Sequence, residues 1–299
     1  MSKNNKIKIK SIVTINGIQS FKNTLSGIFG IDWMYKLKYH SDECIEKLKQ
    51  TYSNTSTLRT YLSKIMTIIK EDGETDYKIT QSYYELWKEF DKKEQIKLKN
   101  HIASDRIKDN WISWEEILDV RKKLESKAIT HTSYQKYLII CMYTYIPPRR
   151  LDYGNLQVLK KKPFPDAGNY LIWNKAPYIV LNNHKTSAKV GQIKFILPIA
   201  LVRIIKKWFK LYNTNQKWLL IKNNNEVLKN NTLGSYITSI FKNEINKKIS
   251  VNQLRHIYAK KSFESLQKGN LIIGLKKVTK DCVIMGHNMS KHSEYVKEI

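Results

Sequence analysis

The stretch Cys141-Met-Tyr-Thr-Tyr145-Ile-Pro147-Pro148-Arg149-Arg150-Leu-Asp152 decides the fold. A helical pattern runs from Thr132 to Tyr145, and Pro147-Pro148 stops it, because proline gives no N–H to the ladder and pushes its predecessor out of the α region. Two arginines are thereby held just past a rigid break. Arginine is scarce here, with seven among the 53 basic residues. A chain that writes lysine by default and keeps arginine at this point suggests a need for the flat, permanently charged fork that takes phosphate oxygens two at a time.

Upstream, Asn110-Trp111-Ile-Ser113-Trp114-Glu115-Glu116 reads as a helix entry, with Ser113 as N-cap and acidic residues in a first turn favoured by the helix dipole. Residues 41–101 are helical in pattern. Apolar residues recur at steps of three and four from Leu58 to Ile69, Ser/Thr residues before Leu58 can cap the start, and Glu71-Asp72-Gly73-Glu74 ends the run. Tyr83, Leu86, Trp87 and Phe90 mark another helix, followed by a lysine-rich turn. Downstream, residues 170–173, 178–182 and 193–197 read as strands, with Lys185 to Gly191 as the turn between the last two. Pro198 begins a helix from Ile199 to Tyr212, and helices follow at 232–245, 251–267 and 275–285. The expectation is a mainly α fold with a small antiparallel β-sheet. Residues 1–112 form a helical domain whose first ~15 residues are mobile, and residues 113–299 form a second domain.

The formal net charge is +27 and the pI about 9.8. Residues 1–112 carry 20 basic against 14 acidic groups, and residues 113–299 carry 33 against 12. Such a field recruits polyanions, most often nucleic acid, and places them against the second part. An AT-rich coding sequence would inflate lysine too, without accounting for where the charge sits. Cys44, Cys141 and Cys282 are far apart and odd in number, which points to a reducing compartment with neither a disulfide framework nor a zinc site. There is no signal-peptide core, no apolar run of membrane-spanning length and no metal or nucleotide-binding motif. An intracellular, DNA-associated protein without cofactor or membrane partner is the expectation.

The candidate chemistry gathers around Leu-Arg255-His256, Gly286-His287 and Tyr295. A phenol is protonated near neutral pH, so attack on phosphorus needs nearby cations and a way to lose the proton. Such attack leaves a covalent 3′-phosphotyrosine that conserves the phosphodiester's energy, so neither ATP nor metal is required. Arg149 and Arg255 would bind the non-bridging oxygens, and losing one preorganised donor of this kind costs ~10²–10³ in rate. The alternative is that both pair with backbone phosphates or carboxylates without catalysis. Lys185 is one of 46 lysines and composition does not single it out from those that only face solvent, but from its hairpin turn it could protonate the leaving 5′ oxygen. His287 could donate to a phosphate oxygen or simply be satisfied at a helix start, and His256 is a packing or supporting residue.

These motifs together resemble the tyrosine recombinases, or phage-integrase family. The family's first box, an arginine followed three residues later by an acid and seven later by leucine, is matched by Arg149, Asp152 and Leu156, with Arg150 as the poorer competitor. Asn183-His-Lys185-Thr186 through Gly191, closed by Ile196-Leu-Pro198, looks like the hairpin that carries the family's lysine. Asn252-Gln-Leu254-Arg255-His256-Ile-Tyr258-Ala259 is similar to the second box, and Met285-Gly286-His287 through Tyr295 to the last. The resemblance implies a helical core-binding, DNA-clamp domain of residues 1–112 and a catalytic domain of residues 113–299. It also implies site-specific recombination or integration of double-stranded DNA by a homo-tetramer on two sites, with any accessory DNA-bending protein unidentified, and the Lys/Asn/Ile bias is compatible with an AT-rich virus or mobile element.

The chain departs from the family's pattern in three ways. Asn252 stands where a histidine is usual and can hydrogen-bond a phosphate oxygen but not act as a base. His287 to Tyr295 is one residue shorter than the commonest spacing, and Ile299 follows Tyr295 by four residues where many relatives carry a docking tail. The expectation is assembly by another route, such as the N-terminal extension, or a different control. Two other readings remain: relaxation of supercoils in the manner of a type IB topoisomerase, and a relative that binds DNA without cleaving it.

Overall fold

A computed structural model of the chain describes residues 12–74, 76–213, 217–267 and 271–297. The chain divides between Leu98 and Lys99 into two compact units. The expected mobile start falls mainly on residues 1–11, outside the described residues.

The first unit is helical: α1 (Ile12–Phe29), α2 (Trp33–Tyr39), α3 (Ser41–Thr51), α4 (Thr55–Glu71), a 3₁₀ turn (Tyr77–Thr80) and α5 (Gln81–Lys99). Leu25, Leu37, Leu48, Leu62, Ile65 and Tyr83 form its dry interior, and the Tyr83 hydroxyl donates to the Leu37 carbonyl at 2.9 Å. The cap of α4 is Asn54, whose side-chain oxygen accepts from the N–H groups of Ser56 and Thr57 at 2.9 and 3.1 Å. Thr55, Ser56 and Thr57, read from sequence as the cap, lie inside the helix, since one amide oxygen upstream satisfies two orphan donors at once. Gly73 at φ 85° follows the end of α4. The expected lysine-rich turn after Phe90 is helix instead: α5 runs on to Lys99, with Lys93 and Glu89 paired one turn apart.

The second unit begins at Lys99. Short α6 (Asp105–Asp109) and its flanks are tied to it, Gln253 Nε2 donating to the Ile107 carbonyl at 2.9 Å and the Lys248 N–H to Asn110 Oδ1 at 2.6 Å. Next come α7 (Trp114–Ser126) and α8 (His131–Tyr145). Ser113 caps α7 in a reciprocal box: its hydroxyl accepts from the Glu116 N–H at 3.1 Å, and its own N–H donates to Glu116 Oε2 at 2.7 Å. Helix α8 has every residue from Tyr137 to Tyr143 buried and is the axis around which the unit packs.

The sheet has four strands in the order β1 (Gln157–Leu159), β2 (Asn169–Ile172), β3 (Tyr178–Leu181), β4 (Ile193–Ile196). The expected strands pair antiparallel, Tyr170 opposite Val180 and Ile179 opposite Phe195. A strand not read from the sequence, β1, joins β2 in parallel and makes the sheet mixed. Its three half-buried residues are too few to show a period. Leu171, Ile179, Leu181, Ile193 and Phe195 face the main core, while Tyr170, Ile172 and Val180 form a small cluster of their own. A four-residue helix, α9 (Ser187–Val190), sits within the expected β3–β4 turn, closed by Gly191 at φ 72°.

Five helices follow, α10 (Ile199–Leu211), α11 (Asn230–Ile245), α12 (Val251–Gln267), α13 (Leu271–Met285) and α14 (Met289–Ser293), with isolated β-bridges at Trp218 and between Ile221 and Val227 in the connection from α10 to α11. The protein is therefore mainly α with a small mixed sheet. No helix among the described residues is long and apolar enough to cross a membrane.

Candidate active site

Arg149 follows the Pro147-Pro148 break after α8 and is only 2% exposed. Its Nε donates to Asp152 Oδ2 at 2.9 Å and its Nη2 lies 2.7 Å from the same oxygen. Its Nη1 donates to the carbonyl of Ile284, near the end of α13. Gly286 lies against this guanidinium at φ 73°. A Cβ there would meet Nη1 at 3.0 Å and Nη2 at 3.2 Å, so glycine is what permits the approach.

Arg255, inside α12, is 1% exposed. Its Nη1 donates to the carbonyls of Pro148 and Met285, each at 3.2 Å, and its Nη2 donates to His287 Nδ1 at 2.9 Å. Its Nε is buried without any partner. Burial pulls the guanidinium's pKa down, and the neighbouring Tyr295 phenol works against that shift. Among the described residues, Asp152 is the one carboxylate bonded to either guanidinium, and it is bonded to Arg149 alone, so two buried cations stand against a single anion.

Tyr295 follows α14, a short helix capped by Asn288 Oδ1, which accepts from the Lys291 N–H at 2.8 Å. Its buried ring lies 4.8 Å from Arg255 Cζ and stacks on His287 at 5.3 Å between centroids, 23° from parallel. The Tyr295 carbonyl accepts from His256 Nδ1 at 2.8 Å. A carbonyl can only accept, so Nδ1 carries the proton and His256 Nε2 is left to accept from the Asn252 amide, 3.2 Å away. Asn252 itself is exposed, one turn before His256 on α12. Burial pushes His256 down to about 4 and keeps it neutral.

Behind the stacked rings, His287 Nε2 lies 2.9 Å from Nδ1 of fully buried His292, whose Nε2 lies 2.9 Å from Ser262 Oγ on α12. His287 is pushed down to about 3 by burial and then by Arg255, and His292 to about 4 by the same two causes in the same order. Cys282, His287 and His292 bring three ligand-type atoms within 4.8 Å of one another. Their nitrogens are already engaged in hydrogen bonds beside a buried guanidinium, which would repel a dication, so the trio is not read as a metal centre.

Lys185 is exposed in the turn before α9 and makes no hydrogen bond or ion pair among the described residues. Its neighbour provides the link to the site: the Thr186 hydroxyl donates to the Gly286 carbonyl at 3.0 Å. Arg150 is half-buried, and its carbonyl accepts from the Tyr143 hydroxyl at 2.7 Å. The structure thus brings Arg149, Arg255, His287 and Tyr295 into one cluster with His256 and Asn252 at its edge, while Lys185 reaches it only through Thr186. His292 and Ser262 were not singled out from sequence, since a lone histidine five residues past another and a serine inside a helix carry no spacing that marks them. Thr186 was visible only as part of the hairpin.

No family model matches this chain, and no curated protein matches it. Among solved structures it is similar to one described as the crystal structure of XerA recombinase, at 13% identity and a TM-score of 0.43, covering 97% of this chain and 89% of that one.

Proposed function

We propose that the protein is a DNA strand transferase of the tyrosine-recombinase kind, cleaving and rejoining DNA through a 3′-phosphotyrosine. The observation that carries this reading is the buried pair Arg149 and Arg255, in which Arg149 alone has a carboxylate and Arg255 Nε is left without a partner beside the Tyr295 phenol. A buried cation in excess of its anions is costly unless a further anion completes the site. A phosphodiester supplies that anion, and the phenol next to it supplies the nucleophile.

In this mechanism the Tyr295 oxygen bonds to phosphorus, its proton passes to solvent, and the bond from phosphorus to the 5′ oxygen breaks. Arg149 and Arg255 hold the non-bridging oxygens as charge grows on them. Lys185 swings from its exposed turn to protonate the leaving oxygen, and Asn252 contacts a phosphate oxygen from the rim. Attack by a 5′ hydroxyl on the phosphotyrosine reverses the step and rejoins the strand, and a homo-tetramer on two double-stranded sites pairs the exchanges. A concave surface lined by Asn231, Ser235, Lys242, Lys248 and Asn252 offers the polar and cationic groups that a DNA backbone takes.

The test is incubation with nicked or suicide DNA substrates. Wild type should form a covalent adduct and Tyr295→Phe none, with DNA binding retained. Failure of the wild type to form an adduct on any substrate leaves a DNA-binding protein that does not cleave. Relaxation of supercoiled plasmid without need of a specific site would point to a type IB topoisomerase instead.

A further inference from the structure

Resting on that reading, we infer that His292 and Ser262 are positioning residues that fix His287 as a hydrogen-bond acceptor toward Arg255, so that His287 acts by orienting the guanidinium and not by touching the phosphate. The placement of protons follows from either end of the chain. At one end, Arg255 Nη2 can only donate, so His287 Nδ1, 2.9 Å away, must accept and the His287 proton sits on Nε2. At the other end, the Ser262 hydroxyl gives its single proton to the Ala259 carbonyl at 2.8 Å, so at 2.9 Å it must accept from His292 Nε2. A neutral His292 then has a bare Nδ1, which accepts from His287 Nε2 at 2.9 Å. Both ends give the same arrangement, with every ring nitrogen used once.

His287 has no N–H left for a phosphate oxygen while this chain is intact. Its contribution passes through Arg255, whose Nη2 it holds while the Pro148 and Met285 carbonyls hold Nη1. The fork is thereby locked with Nε as its unused donor. The partner that orients a histidine by binding its second nitrogen sets its tautomer, and His292 does this here from a fully buried site against Phe263 at 5.5 Å between ring centroids.

Two-bond proton–nitrogen NMR on the full-length protein with labelled histidines reads the tautomers without any cleavage. In wild type, both His287 and His292 should carry the proton on Nε2 and leave Nδ1 bare. His292→Gln keeps an acceptor for His287 and a donor for Ser262, and should retain the His287 tautomer and the cleavage rate. His292→Phe should mix the His287 tautomers and lower the single-turnover cleavage rate at saturating DNA roughly ten- to a hundredfold, by analogy with the groups that orient metal-ligating histidines from behind, with DNA affinity unchanged. Should the phenylalanine variant not fold by circular dichroism, Ser262→Ala, which removes the acceptor for His292, should give the same change in milder form. A wild-type His287 protonated on Nδ1, or an unaltered tautomer and rate in the variants that disrupt the chain, overturns the assignment. A wild type that never forms an adduct sinks strand transfer, while the tautomers still decide the positioning roles.

Discussion

The two halves of the arginine site are buried to the same depth and furnished differently. Around Arg149 the charge is closed: Asp152 takes Nε and Nη2, and the Ile284 carbonyl takes Nη1. Around Arg255 it is open: two carbonyls and a neutral histidine receive the outer nitrogens, no carboxylate does, and Nε is left over. On the proposed function, the first half is a scaffold that would hold its shape with or without DNA, and the second is the receptor for the phosphate. What separates them is one acid three residues from Arg149, since α12 carries no acid within a turn of Arg255.

Replacing either arginine by methionine tests this contrast most strongly. Each change should cut the rate of adduct formation by ~10²–10³, measured in single turnover at saturating DNA. Their effects on folding should part. Arg149→Met strands buried Asp152 and should cost about 3–5 kcal/mol in urea denaturation, and Arg255→Met, which strands only neutral acceptors, should cost less. A larger loss at Arg255 would break the contrast.

Gly286→Ala probes the closed half from outside. The backbone at φ 73° and the 3.0 Å approach to a guanidinium already bonded on every nitrogen leave a methyl no room. A cost of about 1–2 kcal/mol is expected from the left-handed conformation alone, together with slower cleavage as Arg149 shifts. Unchanged stability would mean that the glycine is incidental.

The histidines sharpen the open half through pH. His287, His256 and His292 are held at about 3, 4 and 4, below the 6.5 of an unfolded histidine. As pH falls from 6.5 toward 4 the unfolded chain takes up protons first, so their contribution is complete above about 6.5 and is lost on the way down. Urea midpoints measured in steps across that window should fall, and His292→Gln, with one such group fewer, should flatten the fall. The smallest effect is expected at the rim: Asn252→Ala removes a donor to neutral His256 and should slow cleavage by the equivalent of about 0.5–1.5 kcal/mol. A loss as large as that of Arg255 would move Asn252 to the centre of the chemistry.

How much of this was legible in the sequence depended on reach. The proline break, the Ser113 cap and the long helices are local patterns, and they stand within a few residues of where they were read. The cap at Asn54 and the continuation of α5 through its lysines were missed because competing local signals were of similar strength, and β1 because three residues show no alternation. The arginines and Tyr295 were found as motifs, but their unequal surroundings depend on carbonyls of Pro148, Ile284 and Met285, and a backbone oxygen has no letter of its own. The same limit hid His292 and Ser262, whose partnership spans 30 residues. Lys185 is the reverse case, prominent in the motif and, in the structure, connected to the cluster only by the Thr186 hydroxyl on Gly286.

Those carbonyl contacts have a consequence for when the chain can act. Arg149 closes on Ile284, 135 residues away in sequence, and Arg255 on Pro148, 107 away, so the groups proposed for chemistry are also clasps between distant segments, and Thr186 adds another on Gly286. A partly folded chain has arginines and a tyrosine but no site. If the proposed function holds, folding is thereby a safety catch: a nascent or damaged molecule would adhere to DNA through its lysines without being able to cut it.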